Sequence, residues 1–201
     1  MTASKPPGRL LIVMALPQES RGRLEAAGAD LLYTGVGKVN AAAALARRLA
    51  EIRASGSPLP LVVNLGTAGS RKVLTHTLVV CNSFAQRDMD VSGLGFAPGV
   101  TPFDDAPAVI EFTPVLAHLP QRLCSTADSF ATHLHSVGGD VVDMEAFALA
   151  RVCLTERARF TSIKYVTDGA DVDSAANWEA ALDAAAIAFE RVYRELLLPL
   201  V

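Results

Sequence analysis

The feature that most constrains the fold is an alternation of short apolar runs with longer segments of helical periodicity. The apolar runs have the length of strands and occupy Leu10 to Ala15, Leu61 to Leu65, Thr77 to Cys81, Arg122 to Thr126 and Thr161 to Thr167. Apolar residues recur three and four positions apart in Val39 to Arg53, Met144 to Thr155 and Asn177 to Leu197. This alternation is typical of βαβ units and predicts an α/β fold around a largely parallel or mixed sheet.

Length and composition predict that nearly all of the chain folds as one unit. The chain has 201 residues, of which 51% are hydrophobic and 19% are charged. A single core can grow to about 250 residues before a chain divides into domains. We therefore expect a single domain over residues 9–201, preceded by a flexible tail of residues 1–8.

Charge and the length of the apolar runs argue against nucleic acid and membranes as partners. The net charge is −3, and Lys and Arg form no cluster that could neutralise a phosphate backbone. The longest early apolar run, Leu10 to Leu16, is too short to cross a bilayer. Because no signal peptide or transmembrane span is recognisable, the sequence predicts a cytoplasmic protein.

The cysteines and histidines do not have the spacing of metal ligands. Cys81, Cys124 and Cys153 are far apart, and each lies in an apolar run, so we interpret them as reduced core residues. His133 and His135 come nearest to a ligand pair, but we interpret them as part of a polar surface loop because no acidic or Cys partner is near. The sequence predicts no metal site.

Polar clusters lie at the ends of predicted strands. They are Pro17 to Glu19, Asn64 to Gly69, Asp143 to Glu145, and Thr167 with Asp168. In α/β sheets, ligands bind beyond the carboxyl ends of the strands. We therefore expect the four clusters to converge on one ligand site.

The segment from Val141 to Ala150 places two carboxylates inside an otherwise apolar stretch. An ionised carboxylate that leaves water without a partner costs several kcal/mol or more. Asp143 is interpreted as a cap for the helix that follows, because a carboxylate is favourable at a helix N-terminus. Glu145 has apolar neighbours and is interpreted as a residue that binds a ligand.

A distinctive set of segments occurs along the chain in this order: Ala15 to Ser20, Thr34 to Ala43, Asn64 to Gly69, Val141 to Ala150 and Lys164 to Asp171. Together they resemble the purine nucleoside phosphorylase and nucleosidase superfamily, and most closely the 5′-methylthioadenosine/S-adenosylhomocysteine nucleosidases. The resemblance implies a three-layer α/β/α sandwich of the phosphorylase/hydrolase type with a central mixed sheet. It also implies an enzyme that cleaves a small-molecule purine nucleoside without a metal or an organic cofactor.

The resemblance assigns the chemistry to four residues. Glu19 matches the carboxylate that activates the attacking water, and Asp168 matches the acid that protonates N7 of the leaving purine. Glu145 matches the residue that binds the ribose hydroxyls, and Met144 the residue that packs beneath the sugar. The two acids have opposite tasks, so different surroundings are predicted for them.

Three more residues complete the substrate site that the resemblance implies. Thr67 matches a residue of the catalytic pocket, where serine is commoner, and Phe130 matches the aromatic residue that stacks on the base. Trp178 stands where a smaller aromatic residue near the purine is often found. It could stack on the base or pack the last helix.

Hydrolysis is favoured over phosphorolysis. The phosphorylases bind phosphate with two arginines, and this chain has Glu19 and Asn64 at those positions. A carboxylate repels a phosphate dianion but can act as a base toward water. Arg21 and Arg23 are near Glu19 in sequence but are expected to point elsewhere. A phosphate-dependent phosphorylase, a futalosine-type hydrolase and a non-catalytic nucleoside-binding protein remain the alternatives.

The stretch from Ser83 to Pro107 is predicted to be a long loop, because it is rich in Gly and Pro and has little periodicity. Part of it resembles the segment that crosses the dimer interface of the nucleosidases and covers the 5′-substituent pocket of the partner. Leu94, Phe96 and Pro102 stand at the contacting positions. The sequence therefore predicts a homodimer.

Overall fold

The computed structural model describes residues 9–129, 138–170 and 174–201, without the side chains of residues 174–177. Within these ranges, the structure has eight strands: β1 (Leu10–Met14), β2 (Leu31–Tyr33), β3 (Leu61–Gly69), β4 (Leu78–Gln86), β5 (Val109–Glu111), β6 (Gln121–Thr126), β7 (Val141–Asp143) and β8 (Phe160–Asp168). All five predicted strands are confirmed. The remaining strands, β2, β5 and β7, have three residues each, which is too short for a hydrophobic period to be recognised. Of these, only β7 was expected, as the strand that ends at the polar cluster Asp143 to Glu145.

The three predicted helices are confirmed with small shifts of their bounds. The α-helices are α1 (Pro17–Ser20), α2 (Arg23–Ala26), α3 (Lys38–Ala54), α4 (Ala146–Glu156) and α5 (Ser174–Val192). A π-helical turn, Tyr193–Leu197, continues α5. No helix in the described ranges is long and apolar enough to span a membrane.

The strands form one mixed sheet that closes on itself. β2, β1, β3 and β8 are parallel neighbours in that order. β8 then pairs antiparallel with β4, which pairs parallel with β6, and β6 pairs parallel with β7. A single antiparallel contact between Gly69 of β3 and Val142 of β7 completes the ring. The closure brings the ends of β3, β7 and β8 together.

Helices cover both faces of the sheet. Side chains alternate along β1: Leu11 and Val13 join a core cluster that α3 and α4 complete. Ile12 and Met14 point to the other face and join a cluster that α5 completes. This alternation is the two-residue period of a strand buried on both sides. The three-layer α/β/α sandwich and its mixed sheet are confirmed.

The long loop predicted from Ser83 to Pro107 begins later than expected. Strand β4 continues to Gln86, because Phe84 and Ala85 are buried and pair with both β5 and β6. The remainder contains a short 3₁₀ turn, Ser92–Leu94. The three cysteines are buried free thiols, as predicted.

A buried ion pair lies where the sheet closes. Lys164 of β8 and Asp143 at the end of β7 are fully enclosed, with 2.8 Å between Nζ and Oδ2. Asp143 also accepts hydrogen bonds from the Thr126 hydroxyl of β6 at 2.5 Å and from the Ala146 N–H at 2.8 Å. Through the last contact Asp143 accepts the first N–H of α4, in line with the predicted role at this helix end, although the N-cap position itself is Glu145. The ion pair connects β7 with β8, and the Thr126 hydrogen bond adds β6.

The mutual attraction in this pair overcomes the cost of burial. Burial by itself raises the pKa of Asp143, but the Lys164 cation and the hydrogen bonds from Lys164, Thr126 and Ala146 lower the pKa below its usual value. Burial likewise opposes the charge of Lys164, and the Asp143 carboxylate raises the pKa of Lys164 above its usual value. Both groups are therefore ionised at neutral pH.

We expect Lys164→Met to lower the free energy of unfolding by about 3–5 kcal/mol, because it leaves the Asp143 charge buried without its partner. Urea denaturation at pH 7 measures this loss. The double variant Lys164→Met, Asp143→Asn keeps an oxygen for the Ala146 N–H and removes the orphaned charge, so it should regain most of the stability. An equal loss in the double variant would contradict the explanation.

Candidate active site

The polar strand ends converge on one cavity of about 240 Å³. It opens beyond the carboxyl ends of β1, β3, β7 and β8, the location at which α/β sheets bind ligands. Six of the residues predicted for the site line it: Glu19, Thr67, Met144, Glu145, Asp168 and Trp178. Phe130, the seventh residue predicted within the chain's own pocket, lies outside the described residues, as do His133 and His135.

Glu19 is held by the backbone around it. It lies in the single turn of α1, which begins at Pro17 and ends at Ser20, and the next residue, Arg21, has a left-handed conformation. Its carboxylate is buried, and Oε1 accepts hydrogen bonds from the Thr67 N–H at 2.8 Å and the Thr67 hydroxyl at 2.9 Å. Oε2 accepts a longer bond of 3.3 Å from the Leu16 N–H. The carboxylate therefore has a fixed orientation at the edge of the cavity.

The space beside Gly66 brings Glu19 close to a cation. A Cβ added to Gly66 would stand 3.3 Å from Lys164 Nζ and 3.5 Å from Glu19 Oε1. It would also stand 3.9 Å from the Asn64 side-chain nitrogen. Two nitrogen donors and one carboxylate oxygen thus face the same small volume beside Gly66.

Asp168, like Glu19, is a buried carboxyl group held by a backbone N–H and a threonine hydroxyl, so the predicted difference between their surroundings stays a prediction. It is buried at the end of β8, where Oδ1 accepts a hydrogen bond from the Ala170 N–H at 2.9 Å and Oδ2 one from the Thr167 hydroxyl at 2.7 Å. A Cβ added to Gly69 would lie only 2.6 Å from Oδ1. The last position of β3 must therefore be glycine for the Asp168 carboxyl to occupy this place.

Glu145 contacts the beginning of a long helix. Its Oε1 accepts a 2.9 Å hydrogen bond from the Gly37 N–H, immediately before α3. Burial, and then repulsion by Asp143, raise the pKa of Glu145 to about 7, although Lys164 and the Gly37 N–H act in the opposite direction. The partial positive charge of a helix N-terminus favours the ionised carboxylate. Glu145 therefore changes its charge near neutral pH.

Trp178 enters the cavity wall from α5. Its indole Nε1–H donates a 2.9 Å hydrogen bond to the Thr67 hydroxyl. The sequence left stacking and helix packing as its two roles and did not predict this contact. Indole N–H groups need an acceptor when buried, and Thr67 supplies one.

Leu94, Phe96 and Pro102 were predicted to reach a partner subunit. None of the three is among the described residues that line this cavity. Leu94 is 74% exposed, and Phe96 packs edge-on against Phe103 with 5.6 Å between ring centroids. Pro102 is half-buried. Their assignment to a partner's pocket stays a prediction.

Two cations in the cavity wall were not predicted as site residues: Lys164 and Arg87. Arg87 is buried and donates to the Ser129 carbonyl at 2.7 Å. A lysine inside an apolar strand is the same signal that singled out Glu145, so Lys164 could have been found. Arg21 and Arg23 point away from the cavity, as expected, and pair with Asp183 and Glu190.

A family model described as the phosphorylase superfamily matches residues 20–198. The chain belongs to the phosphorylase superfamily. The match covers every described side chain of the cavity wall except Ala15, Leu16 and Glu19.

Curated relatives from this superfamily are nucleosidases. The 5′-methylthioadenosine/S-adenosylhomocysteine nucleosidase of Geobacillus kaustophilus is 30% identical over 197 residues, which cover 87% of this chain and 81% of the relative. The enzyme of the same name from Haemophilus influenzae is 26% identical and covers 82% and 79%. Because nucleosidases are N-glycosyl hydrolases, the predicted enzyme class is confirmed.

Solved structures share the fold at lower identity. The 5′-methylthioadenosine/S-adenosylhomocysteine nucleosidase of Neisseria meningitidis, in complex with methylthio-immucillin-A, aligns with a TM-score of 0.78 and 23% identity over 96% of this chain and 99% of that chain. The futalosine hydrolase of Helicobacter pylori aligns with a TM-score of 0.76 and 19% identity over 94% and 99%. At such identities the likeness shows that the fold is shared.

The raised pKa of Glu145 predicts how Glu145→Gln changes stability with pH. The folded pKa of about 7 lies above the ordinary value of 4.5, so folding is penalised as pH rises through this interval and the full penalty applies above pH 7. Glutamine removes the charge. We expect the variant to melt on the order of 5 °C above the wild type at pH 8 and at nearly the same temperature at pH 5.

Differential scanning calorimetry at the two pH values makes this comparison. The matched control is Glu51→Gln, an exposed carboxylate on α3. A gain for Glu145→Gln that is equal at both pH values would contradict the assigned cause.

Proposed function

We propose that the chain is a purine nucleoside N-ribohydrolase that acts on a 5′-modified adenosine, such as methylthioadenosine or S-adenosylhomocysteine. The observation that carries the proposal is the meeting of three separately held carboxylates, Glu19, Glu145 and Asp168, in one cavity. The nucleosidase names of the curated relatives support the same reaction class.

The reaction requires an acid and a base on opposite sides of the ribose. As the bond between C1′ and N9 breaks, its electron pair passes to the purine, and Asp168 donates a proton to N7. The sugar becomes a ribosyl cation, which water attacks at C1′ while Glu19 accepts a proton from that water. The products are the free base and the free sugar, so one water is consumed and no proton is gained or lost overall.

Glu145 is proposed to bind the ribose hydroxyls through the carboxylate oxygen that Gly37 leaves free. An enclosed carboxylate binds hydroxyl groups strongly because little water competes. Met144 lies in the same wall and supplies an apolar surface beneath the sugar. The proposal also keeps Phe130 as the residue that stacks on the base.

The charge distribution supports hydrolysis over phosphorolysis. Glu19 would repel a phosphate dianion at the position of the nucleophile. Arg21 and Arg23, the nearest arginines in sequence, are occupied by Asp183 and Glu190. A phosphorylase is the alternative, since Lys164 and Arg87 also line the cavity.

A second candidate exists for the substrate, one with a different 5′-group. The likeness to a futalosine hydrolase favours a futalosine-type substrate as the alternative within the hydrolases. A cytoplasmic location, expected from the sequence, stays a prediction.

The deciding experiment measures free base after incubation of the protein with methylthioadenosine, S-adenosylhomocysteine, adenosine, inosine and futalosine, each with and without phosphate. We expect release from the two adenosine thioethers, at a rate that phosphate does not change. Release only with phosphate would establish the phosphorylase instead. No release from any nucleoside would leave the non-catalytic alternative.

Two variants assign the roles within the site. Asp168→Asn should reduce kcat about 10²–10⁴-fold, the range that general acid catalysis contributes. Glu145→Gln should raise KM and lower kcat together. Undiminished turnover by Asp168→Asn would mean that another group protonates the base.

The proposed enzyme acts as a homodimer in which the loop of one subunit covers the 5′-pocket of the other. Leu94 is 74% and Phe103 98% exposed, and such large apolar side chains are costly on a free surface. We expect Leu94→Ser with Phe96→Ser to weaken dimerisation in sedimentation velocity. It should also lower kcat/KM for methylthioadenosine more than for adenosine, which lacks a thioether.

The matched control for this loop is Leu74→Ser, at an apolar position that is 83% exposed and lies outside the loop. It should leave both measurements unchanged. A loop variant that dimerises as the wild type does, with the same substrate preference, would refute the proposed contact.

A further inference from the structure

We propose that Trp178 is a positioning residue for Glu19 and acts through the Thr67 hydroxyl. Three groups form a chain of hydrogen bonds: the Trp178 indole N–H donates to Thr67 Oγ1 at 2.9 Å, and Thr67 Oγ1 donates to Glu19 Oε1 at 2.9 Å. This series of hydrogen bonds connects α5 through β3 to α1. It rests on the proposed function in so far as Glu19 is the base.

The direction of the hydrogen bonds in this chain follows from the chemistry of its ends. An indole N–H is only a donor, and an ionised carboxylate is only an acceptor. The Thr67 hydroxyl must therefore accept from Trp178 and donate to Glu19. The indole cannot accept and the carboxylate cannot donate, so the reverse direction is impossible. The Thr67 hydroxyl therefore cannot rotate freely about its C–O bond.

This arrangement decides which oxygen of Glu19 can take a proton. Oε1 accepts two hydrogen bonds from Thr67, one from the N–H at 2.8 Å and one from the hydroxyl. Oε2 holds only the 3.3 Å contact from the Leu16 N–H. We infer that the proton from the attacking water goes to Oε2. Without the indole, the Thr67 hydroxyl can turn away, and the carboxylate loses one of the contacts that fix its orientation.

The proposal differs from the two roles that the sequence suggested for Trp178. A residue that only stacks on the purine acts through its ring, and phenylalanine would replace much of that ring surface. A residue that only packs α5 would affect folding. A positioning role depends on the N–H group and requires the hydroxyl of Thr67.

The first test is spectroscopic and needs no substrate. Trp178 is the one tryptophan of the 201-residue chain, so a ¹H–¹⁵N spectrum contains a single indole cross-peak. Thr67→Val removes the acceptor and should move the indole proton upfield. Thr67→Ser keeps a hydroxyl and should restore most of the wild-type position. A cross-peak that stays in place in Thr67→Val would overturn the proposal.

Removing the charge of Glu19 should shift the cross-peak of the Trp178 indole. Linked hydrogen bonds polarise one another, so Glu19→Gln should move the cross-peak in the same direction as Thr67→Val, but less. Matched controls are Thr155→Val and Glu51→Gln, exposed residues of α4 and α3 that should leave the cross-peak unchanged. If Glu19→Gln shifted the indole cross-peak no more than Glu51→Gln does, the proposed hydrogen-bond connection from Trp178 to Glu19 would be contradicted.

The second test is a double-mutant cycle in base release. Trp178→Phe removes the N–H and should lower kcat about three- to tenfold, the range expected for one hydrogen bond. In the Thr67→Val background, the same substitution should change kcat less than twofold, because the hydroxyl that it positions is absent. An equal loss in both backgrounds would instead mean that Trp178 acts through its ring.

The two tests separate failure of this inference from failure of the proposed function. If no nucleoside releases its base, the function is wrong, and the cross-peak still decides whether the chain of hydrogen bonds exists. If base is released while Thr67→Val and Glu19→Gln leave the cross-peak in place, the positioning role is wrong and the function stands.

Discussion

The buried pair of Lys164 and Asp143 is the interaction on which both the sheet and the site depend. It connects β7 and β8 where the sheet closes, and Thr126 adds β6 through a hydrogen bond to the same carboxylate. The lysine also acts on Glu145, whose pKa it lowers against the effects of burial and of Asp143. The Lys164 cation thus fixes the position of the Asp143 carboxylate and lowers the pKa of Glu145, which favours its ionised form. Stability of the fold and ionisation of the site have the same source.

The cavity has more buried carboxylates than cations free to neutralise them. Asp143 occupies Lys164, and the guanidinium of Arg87 is directed at the Ser129 carbonyl. Glu19 and Glu145 then face the remaining space, together with Asp168, which carries a proton in the proposed reaction. Such a surface favours a ligand that becomes positive during its reaction and disfavours one that enters as a dianion. This balance accords with a ribosyl cation and with water, rather than phosphate, as the nucleophile.

The sequence predicted the elements and the site better than the contacts between them. Buried strands such as β3 and β8 have runs long enough to recognise, and polar residues at their ends indicated the cavity. The three-residue strand β7 was indicated only by the polar cluster at its end, and its pairing with Gly69 depends on tertiary closure. Lys164 has the same apolar surroundings that singled out Glu145, yet its partner Asp143 is 21 residues away and could be identified only from the closed sheet. Phe130 lies outside the described residues.

Thr67 and Trp178 show how two local departures from a family pattern become one feature in three dimensions. Thr67 stands where serine is commoner, and Trp178 stands where a smaller aromatic residue is often found. The two positions are 111 residues apart in the sequence and look independent. In the structure they are hydrogen-bonded. A β-branched residue has fewer side-chain rotamers than serine, so its hydroxyl loses less entropy when it is held. An indole can donate where a phenyl ring cannot. In the proposed positioning role each residue makes the other more effective, and their hydrogen bonds lead to the oxygen of Glu19 that the Thr67 N–H also holds.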